Sequence, residues 1–102
     1  MSKIIYNVTV NIDNNVRDEW REWMKENHIP DVMATGLFLE ARFTKILAES
    51  EGGTSYSLQY YCASQEDLNE YQEKHAPALQ RDHTERYNGK FAAFRTLLEV
   101  TE

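Results

Sequence analysis

The sequence has little cysteine, little proline and no long apolar run, and each shortage excludes a class of protein. Cys62 is the one cysteine among 102 residues, so no disulfide can form within the chain. With only two prolines and four glycines, the composition predicts no flexible linker and no disordered segment. No apolar stretch approaches the roughly 20 residues that a membrane-spanning helix needs. We therefore expect a cytoplasmic globular domain over residues 1–102, with no membrane contact.

Positive charge is also scarce. The chain carries 11 Lys and Arg against 17 Asp and Glu, a net charge of −6. An acidic surface repels phosphate backbones, so nucleic acid is not an expected partner. The link between the first predicted strand and the first predicted helix, Asp13-Asn14-Asn15, has no glycine and is negative. This argues against a phosphate-binding loop at that point.

What the chain does contain is a clear succession of strand and helix periodicities. Residues 3–12 alternate and predict a strand. An apolar stripe at helical spacing follows, formed by Val16, Trp20, Trp23 and Met24. Pro30 is expected to end or bend this helix near His28.

The second half of the chain repeats the pattern. Residues 37–47 and the run that follows the Glu51-Gly52-Gly53-Thr54 turn signal predict a hairpin. Ser64 opens a second helix, which Pro77 should kink or divide and which Asn88-Gly89 ends. A last strand covers 90–100. The order βαββαβ predicts an α+β ferredoxin-like sandwich, a four-stranded antiparallel sheet with two helices on one face.

Side-chain alternation assigns residues to the two faces of this sheet. The helix side is predicted to hold Tyr6, Val8, Val10, Leu39, Phe43, Tyr56, Leu58, Tyr60, Phe94 and Leu98. The open side mixes apolar, amide and charged groups, which a two-fold interface can use. We therefore predict a homodimer through this face, with an interface of Glu40, Arg42, Gln59, Tyr61, Phe91, Arg95 and Leu97. The alternative is a hydrated sheet face.

Histidine supplies the candidate chemistry, because it titrates near neutral pH. The predicted helix–sheet pocket would be lined by His28, His75, Tyr6 and Tyr60. On a straight helix His75 and His83 would lie about 12 Å apart, too far to share a metal unless Pro77 reshapes the helix. The histidines could equally be structural groups hydrogen-bonded at a helix face. We predict no metal site and no cofactor.

The order of these segments also carries a resemblance. The run Trp20-Arg21-Glu22-Trp23-Met24, with His28-Ile29-Pro30 and Gly36 after it, is similar to a segment of dimeric α/β-barrel proteins. The whole chain resembles more closely a family of small bacterial proteins known as a domain of unknown function. The matching features are Ile4-Ile5-Tyr6-Asn7-Val8-Thr9-Val10, His28-Ile29-Pro30, Tyr56-Ser57-Leu58-Gln59-Tyr60, His75-Ala76-Pro77 and Lys90-Phe91.

The resemblance implies a dimeric α/β barrel but no activity, since its wider superfamily includes cofactor-free monooxygenases, haem-degrading enzymes, sugar mutarotases and proteins without known activity. Two functions follow as hypotheses. The first is a dimeric barrel that binds or transforms a small organic molecule in the helix–sheet pocket. The second is a non-catalytic dimeric structural or interaction module.

Overall fold

A computed structural model describes residues 3–48 and 50–101. Residues 1, 2, 49 and 102, which include the ends of the expected 1–102 domain, lie outside the described residues. The strands are β1 (Ile4–Asp13), β2 (Glu40–Lys45), β3 (Gly53–Cys62) and β4 (Phe91–Glu99). The helical segments are α1 (Arg17–Trp23), a π-helical segment (Met24–His28), α2 (Ile29–Met33), α3 (Gln65–Lys74) and α4 (Ala76–Tyr87). Within the described ranges, no helix is both long and apolar enough to cross a membrane.

The four strands form one antiparallel sheet in the order β2-β3-β1-β4. The two strands that are central in this sheet, β1 and β3, are also the longest and are paired over their full length. Aromatic contacts such as Trp20 with Tyr56 and Tyr71 with Tyr6 place both helical layers on the same face of the sheet. The predicted βαββαβ ferredoxin-like fold is therefore confirmed.

The second helical layer, which consists of α3 and α4, begins and ends where the sequence predicts. The Ser64 hydroxyl accepts a hydrogen bond from the Asp67 N–H at 3.1 Å and caps α3. Pro77 divides the layer, because α3 ends at Lys74 and α4 begins at Ala76. Gly89 adopts a φ of +79°, which a side-chain-bearing residue tolerates poorly, and this conformation turns the chain from α4 into β4.

The core lies between the helices and the sheet and is rich in aromatic side chains. Trp20 is fully buried and packs edge-on against Phe43. Tyr6, Tyr60 and Tyr71 surround Phe38, with ring centroids 4.8–6.3 Å apart. Phe38 precedes β2 and is only 6% exposed, and the alternating pattern of residues 37–47 did not mark it as a core residue.

The predicted orientation of β4 is wrong. Val8 pairs with Arg95 and Ile12 with Phe91, and residues directly opposite each other in an antiparallel sheet share a face. Phe91, Arg95 and, by the same register, Leu97 therefore lie on the helix side rather than on the open face. Phe94 and Leu98, assigned to the core, belong to the open face. Apolar residues occupy both sides of this strand, so alternation alone could not fix which side was inward.

The other predicted open-face residues lie on the predicted side. Glu40 pairs with Tyr61, and Arg42 pairs with Gln59. Arg42 and Glu40 form an exposed ion pair at 3.5 Å, and the Arg42 guanidinium lies 5.8 Å from the centre of the Tyr61 ring. Apolar area on this face comes from β4, where Phe94 is 62% and Leu98 40% exposed.

Candidate functional site

A small cavity of about 50 Å³ lies between the sheet and the helical layer. This volume holds a few water molecules. Its floor comes from the inward residues of β1, β3 and β4, and its walls from the π-helical segment, α3 and α4. The lining residues are Tyr6, Val8, Val10, Met24, His28, Leu58, Tyr60, Tyr71, Gln80, His83, Thr84, Phe91, Ala93 and Arg95.

His28 reaches the cavity from the end of the π-helical segment. Pro30 has no N–H and its ring crowds the carbonyl four residues earlier, so it strains an ordinary α-helix. The helix does not end before Pro30 but becomes one turn of wider π-helix, in which the Ile29 N–H donates a hydrogen bond to the Met24 carbonyl five residues earlier. The α1, π-helical and α2 segments therefore form one continuous helix from Arg17 to Met33, and Pro30 does not end it. Single π-helical turns of this kind are frequent at functional sites.

His83 is held in one tautomer by a tryptophan. The Trp20 indole N–H, which can only donate, lies 2.9 Å from His83 Nε2. His83 Nε2 must therefore be the unprotonated ring nitrogen, and Nδ1 carries the proton. Burial, with the nearby His28 and Arg95, lowers the pKa of His83 from 6.5 to about 4. His83 is thus neutral at physiological pH.

Two polar atoms of the cavity, His28 Nδ1 and the Tyr60 hydroxyl, are buried and find no hydrogen-bond partner in the described part of the chain. Such atoms are uncommon in folded proteins and costly, so they call for a ligand or water. Burial lowers the pKa of His28 and raises the pKa of Tyr60. At neutral pH the site therefore combines an uncharged imidazole with a protonated phenol, and both can form a further hydrogen bond.

Arg95 brings a positive charge to the same cavity. Its Nε donates to the Tyr6 hydroxyl at 3.0 Å, across one diagonal step of the β1–β4 pairing. Arg95 and Thr84 are exposed, whereas the lining residues Tyr6 and Tyr60 are buried. The opening therefore lies between α4 and β4, with an arginine at its edge.

Three of the four predicted pocket residues line this cavity: Tyr6, Tyr60 and His28. His75 does not. It lies at the α3–α4 junction, half-buried, with its ring stacked 6.3 Å from that of Tyr71.

Sequence reasoning missed His83 and Arg95 as site residues. The signal for His83 was available, because Gln80, His83, Thr84 and Tyr87 are three or four residues apart and share one helix face. Arg95 had no such signal, since its position depends on the β1–β4 register. Among residues 3–48 and 50–101, no group of three or more His, Cys, Asp or Glu side chains is arranged to hold a metal.

The protein is a ferredoxin-like α+β protein, and its cavity, lined largely by aromatic and apolar side chains, lies between the sheet and the helices. A family model described as a domain of unknown function (DUF4286) matches residues 3–101. The chain belongs to this family. No curated protein is similar enough in sequence to be matched.

Solved structures share the fold at low sequence identity. A Nitrosomonas europaea protein of unknown function is 10% identical, with a TM-score of 0.73 over 100% of this chain and 92% of its own. A dimeric ferredoxin-like protein from an uncultured marine organism is 11% identical, with a TM-score of 0.71 over 98% and 95%. SnoaB, a cofactor-independent oxygenase of Streptomyces nogalater, is 9% identical, with a TM-score of 0.71 over 100% and 96%.

Proposed function

We propose that the cavity binds a small organic acid, such as a phenol or an enol, and that His28 accepts its proton. One observation carries the proposal: His28 Nδ1 and the Tyr60 hydroxyl line the same cavity, are buried, and have no hydrogen-bond partner among the residues that the structure describes. A ligand O–H placed between them would supply the missing partner of each. An apolar pocket with a few convergent polar groups of perturbed pKa is the usual form of a ligand site.

Each polar group has a distinct role in this proposal. His28 is neutral because burial lowers its pKa, so in the Nε2–H tautomer its Nδ1 lone pair can take a proton. Tyr60 keeps its proton because burial raises its pKa, and it donates a hydrogen bond to the resulting anion. Arg95 at the opening adds positive charge that stabilises the anion further.

The size of the cavity sets a condition on ligand entry. Typical small-molecule pockets measure about 300–1,000 Å³, far more than the 50 Å³ found here. Two side chains at the opening have room to move aside. Gln80 contacts the Tyr6 hydroxyl only at 3.5 Å, and Arg95 is exposed, although its movement breaks its 3.0 Å hydrogen bond to the same hydroxyl. We therefore expect binding to be accompanied by displacement of these two side chains.

The probe for this proposal is p-nitrophenol, whose ionised form absorbs visible light. At a pH where the free probe is mostly un-ionised, saturating protein should raise the phenolate absorbance. His28→Gln should abolish the rise, and Tyr60→Phe should reduce it. His75→Gln is the matched control, because His75 lies outside the cavity.

Two results would contradict the proposal. Equal absorbance changes with wild type and His28→Gln would exclude His28 as the proton acceptor. Saturable binding that leaves the probe un-ionised would support a ligand site but refute the proton transfer. Because one structural neighbour is a cofactor-independent oxygenase, oxygen uptake is a useful second readout.

We also propose that the chain forms a homodimer through the open sheet face. Phe94 and Leu98 of the edge strand β4 are large, apolar and exposed there, and the Arg42–Glu40 ion pair lies on the opposite edge strand β2. A patch with apolar anchors and both charge signs can pack on its own copy. A neighbour that shares the fold is described as dimeric, which supports this proposal. If the cavity binds nothing, a non-catalytic dimeric module becomes the better-supported function.

Light scattering tests the dimer. The wild type should have twice the mass of one 12.0 kDa chain, and Phe94→Glu should bring the mass down to that of one chain. Leu47→Glu is the matched control, because Leu47 is 92% exposed but lies between β2 and β3, outside the sheet. A wild-type mass of one chain, or a dimer that survives Phe94→Glu undiminished, would exclude this interface.

A further inference from the structure

A second, larger concavity lies on the opposite side of the helical layer from the opening of the cavity. It is a groove of about 440 Å³ between the first helical layer and the edge strand β2. One wall is the row Arg21, Lys25 and Ile29, spaced four residues apart on one helix face. The sheet side, which is the floor of the groove, is formed by alternate residues of β2 and by Tyr56 of β3. The strand residues are Ala41, Phe43 and Lys45.

The groove is polar at one end and apolar at the other. β1 and β2 both pair antiparallel with β3, so they run in the same direction. The helix that follows β1 turns back across the sheet and therefore runs opposite to β2. Its beginning, Arg21, is thus at the Lys45 end, and its later residue Ile29 is at the Ala41 end. Eight helical residues span about 12 Å, which sets the length of the groove.

The charge of the groove is opposite to that of the protein. The whole chain has a net charge of −6, yet among residues 3–48 and 50–101 the groove is lined by three cations and by no acidic residue. All three cationic side chains are on exposed residues. Neither of the two salt bridges found in the described part of the chain involves any of them. Their positive charge is therefore available to a ligand.

The floor of the groove is fixed by the core beneath it. Phe43 and Tyr56 pack on each other, with ring centroids 5.4 Å apart, and both contact the fully buried Trp20. A rigid aromatic floor offers apolar contact without a large ordering cost. Long cationic side chains above such a floor bury their methylene stems and keep the charge free.

We propose that this groove binds an anionic amphiphile, a carboxylate on an unbranched apolar chain. The carboxylate lies among Arg21, Lys25 and Lys45, and the apolar chain extends over Phe43 toward Ile29. The groove volume falls within the usual range for small-molecule sites. This site shares no lining residue with the cavity of the proposed proton transfer and stands independently of that function.

Octanoate, kept below its micelle-forming concentration, is the probe. In a ¹⁵N-resolved NMR titration of the full chain, saturable shifts should appear at the amides of Lys25, Ile29, Ala41 and Lys45. The double variant Arg21→Gln/Lys45→Gln should weaken the octanoate affinity about tenfold, since each exposed ion pair contributes a severalfold effect. Lys74→Gln/Lys90→Gln is the matched control, with two exposed lysines outside the groove, and should leave the affinity unchanged.

A second measurement does not depend on any variant. Raising the salt concentration should weaken the binding of octanoate to the wild type, because exposed charges are screened. The uncharged probe 1-octanol should bind much more weakly than octanoate. Octanoate that binds the double variant as well as it binds the wild type would overturn the proposal. So would an affinity independent of salt, shifts confined to His83 and Ala93 in the cavity, or binding to anionic lipid vesicles without binding of monomeric octanoate.

Discussion

The burial of His83 makes a direct prediction about acid stability. The imidazole accepts a hydrogen bond from Trp20 and is neutral in the folded protein, with its pKa lowered from 6.5 to about 4. In the unfolded chain the same ring takes up a proton near its ordinary pKa. Below about pH 6.5 the unfolded state therefore binds more protons than the folded state. The contribution of His83 to the free energy of unfolding therefore falls as the pH falls below about 6.5, until the folded-state pKa is reached.

The size of this effect follows from the shift in the pKa of His83. A difference from 6.5 to about 4, at about 1.36 kcal/mol per pKa unit, corresponds to a loss of about 3 kcal/mol between pH 7 and pH 4. The side chain is 8% exposed, so little of this is lost to solvent screening. The free energy of unfolding of a domain of this length is about 5–15 kcal/mol. The loss caused by protonation of His83 is thus a large fraction of the whole free energy of unfolding.

The assay is urea unfolding of wild type and His83→Gln at a series of pH values. Glutamine is chosen because its amide oxygen can still accept from the Trp20 indole. The variant should be less stable than the wild type near pH 7, and the difference between the two should shrink by about 3 kcal/mol toward pH 4. Taking the difference removes the carboxylates that titrate in both proteins. His75→Gln controls for the loss of a histidine as such. Parallel pH curves for wild type and His83→Gln would refute the reasoning.

Three further stability predictions follow from single side chains. Trp23→Ala should reduce the free energy of unfolding by about 3–5 kcal/mol, since Trp23 is 9% exposed and packs on His83 and Tyr87 of α4; a loss under about 1 kcal/mol would contradict its place in the core. Ser64→Ala should cost about 1 kcal/mol by removing the α3 cap, and Ser64→Asp should restore it, as thermal unfolding would show. Tyr60→Phe should leave stability unchanged or slightly raised, because its hydroxyl has no partner to lose; a loss above about 1 kcal/mol would mean that the hydroxyl is already bonded.

The dual readout of Tyr60→Phe connects stability with function. The same substitution is expected to weaken p-nitrophenol binding while leaving folding intact. A buried group that contributes nothing to stability but is needed for binding is typical of a functional site. If Tyr60→Phe lowers both stability and p-nitrophenol binding, the hydroxyl is structural, and only His28 Nδ1 still supports the proposed ligand site.

The strands and helices of this protein and their order could be predicted from local patterns in the sequence. Alternation marked β1 and β3, the Trp20–Trp23 stripe marked the first helix, and Ser64 and Gly89 marked the ends of the second helical layer. These are local signals, because side-chain period, capping and turn conformation depend on neighbours in the chain. Tyr6, Tyr60 and His28 could be predicted as cavity residues for the same reason.

The side of β4 that faces inward, and with it the place of Arg95 in the site, depends on tertiary contacts. The strand has apolar residues on both sides, so its pairing with β1, rather than its own pattern, brings Arg95 to Tyr6. The bond between Trp20 and His83 joins residues 63 positions apart in the chain. Pro30 in the sequence predicts an end or a bend of the first helix, whereas the folded chain continues it to Met33 through the π-helical segment. Contacts between residues distant in the sequence produce no periodic pattern along the chain, so they cannot be predicted from the sequence pattern alone.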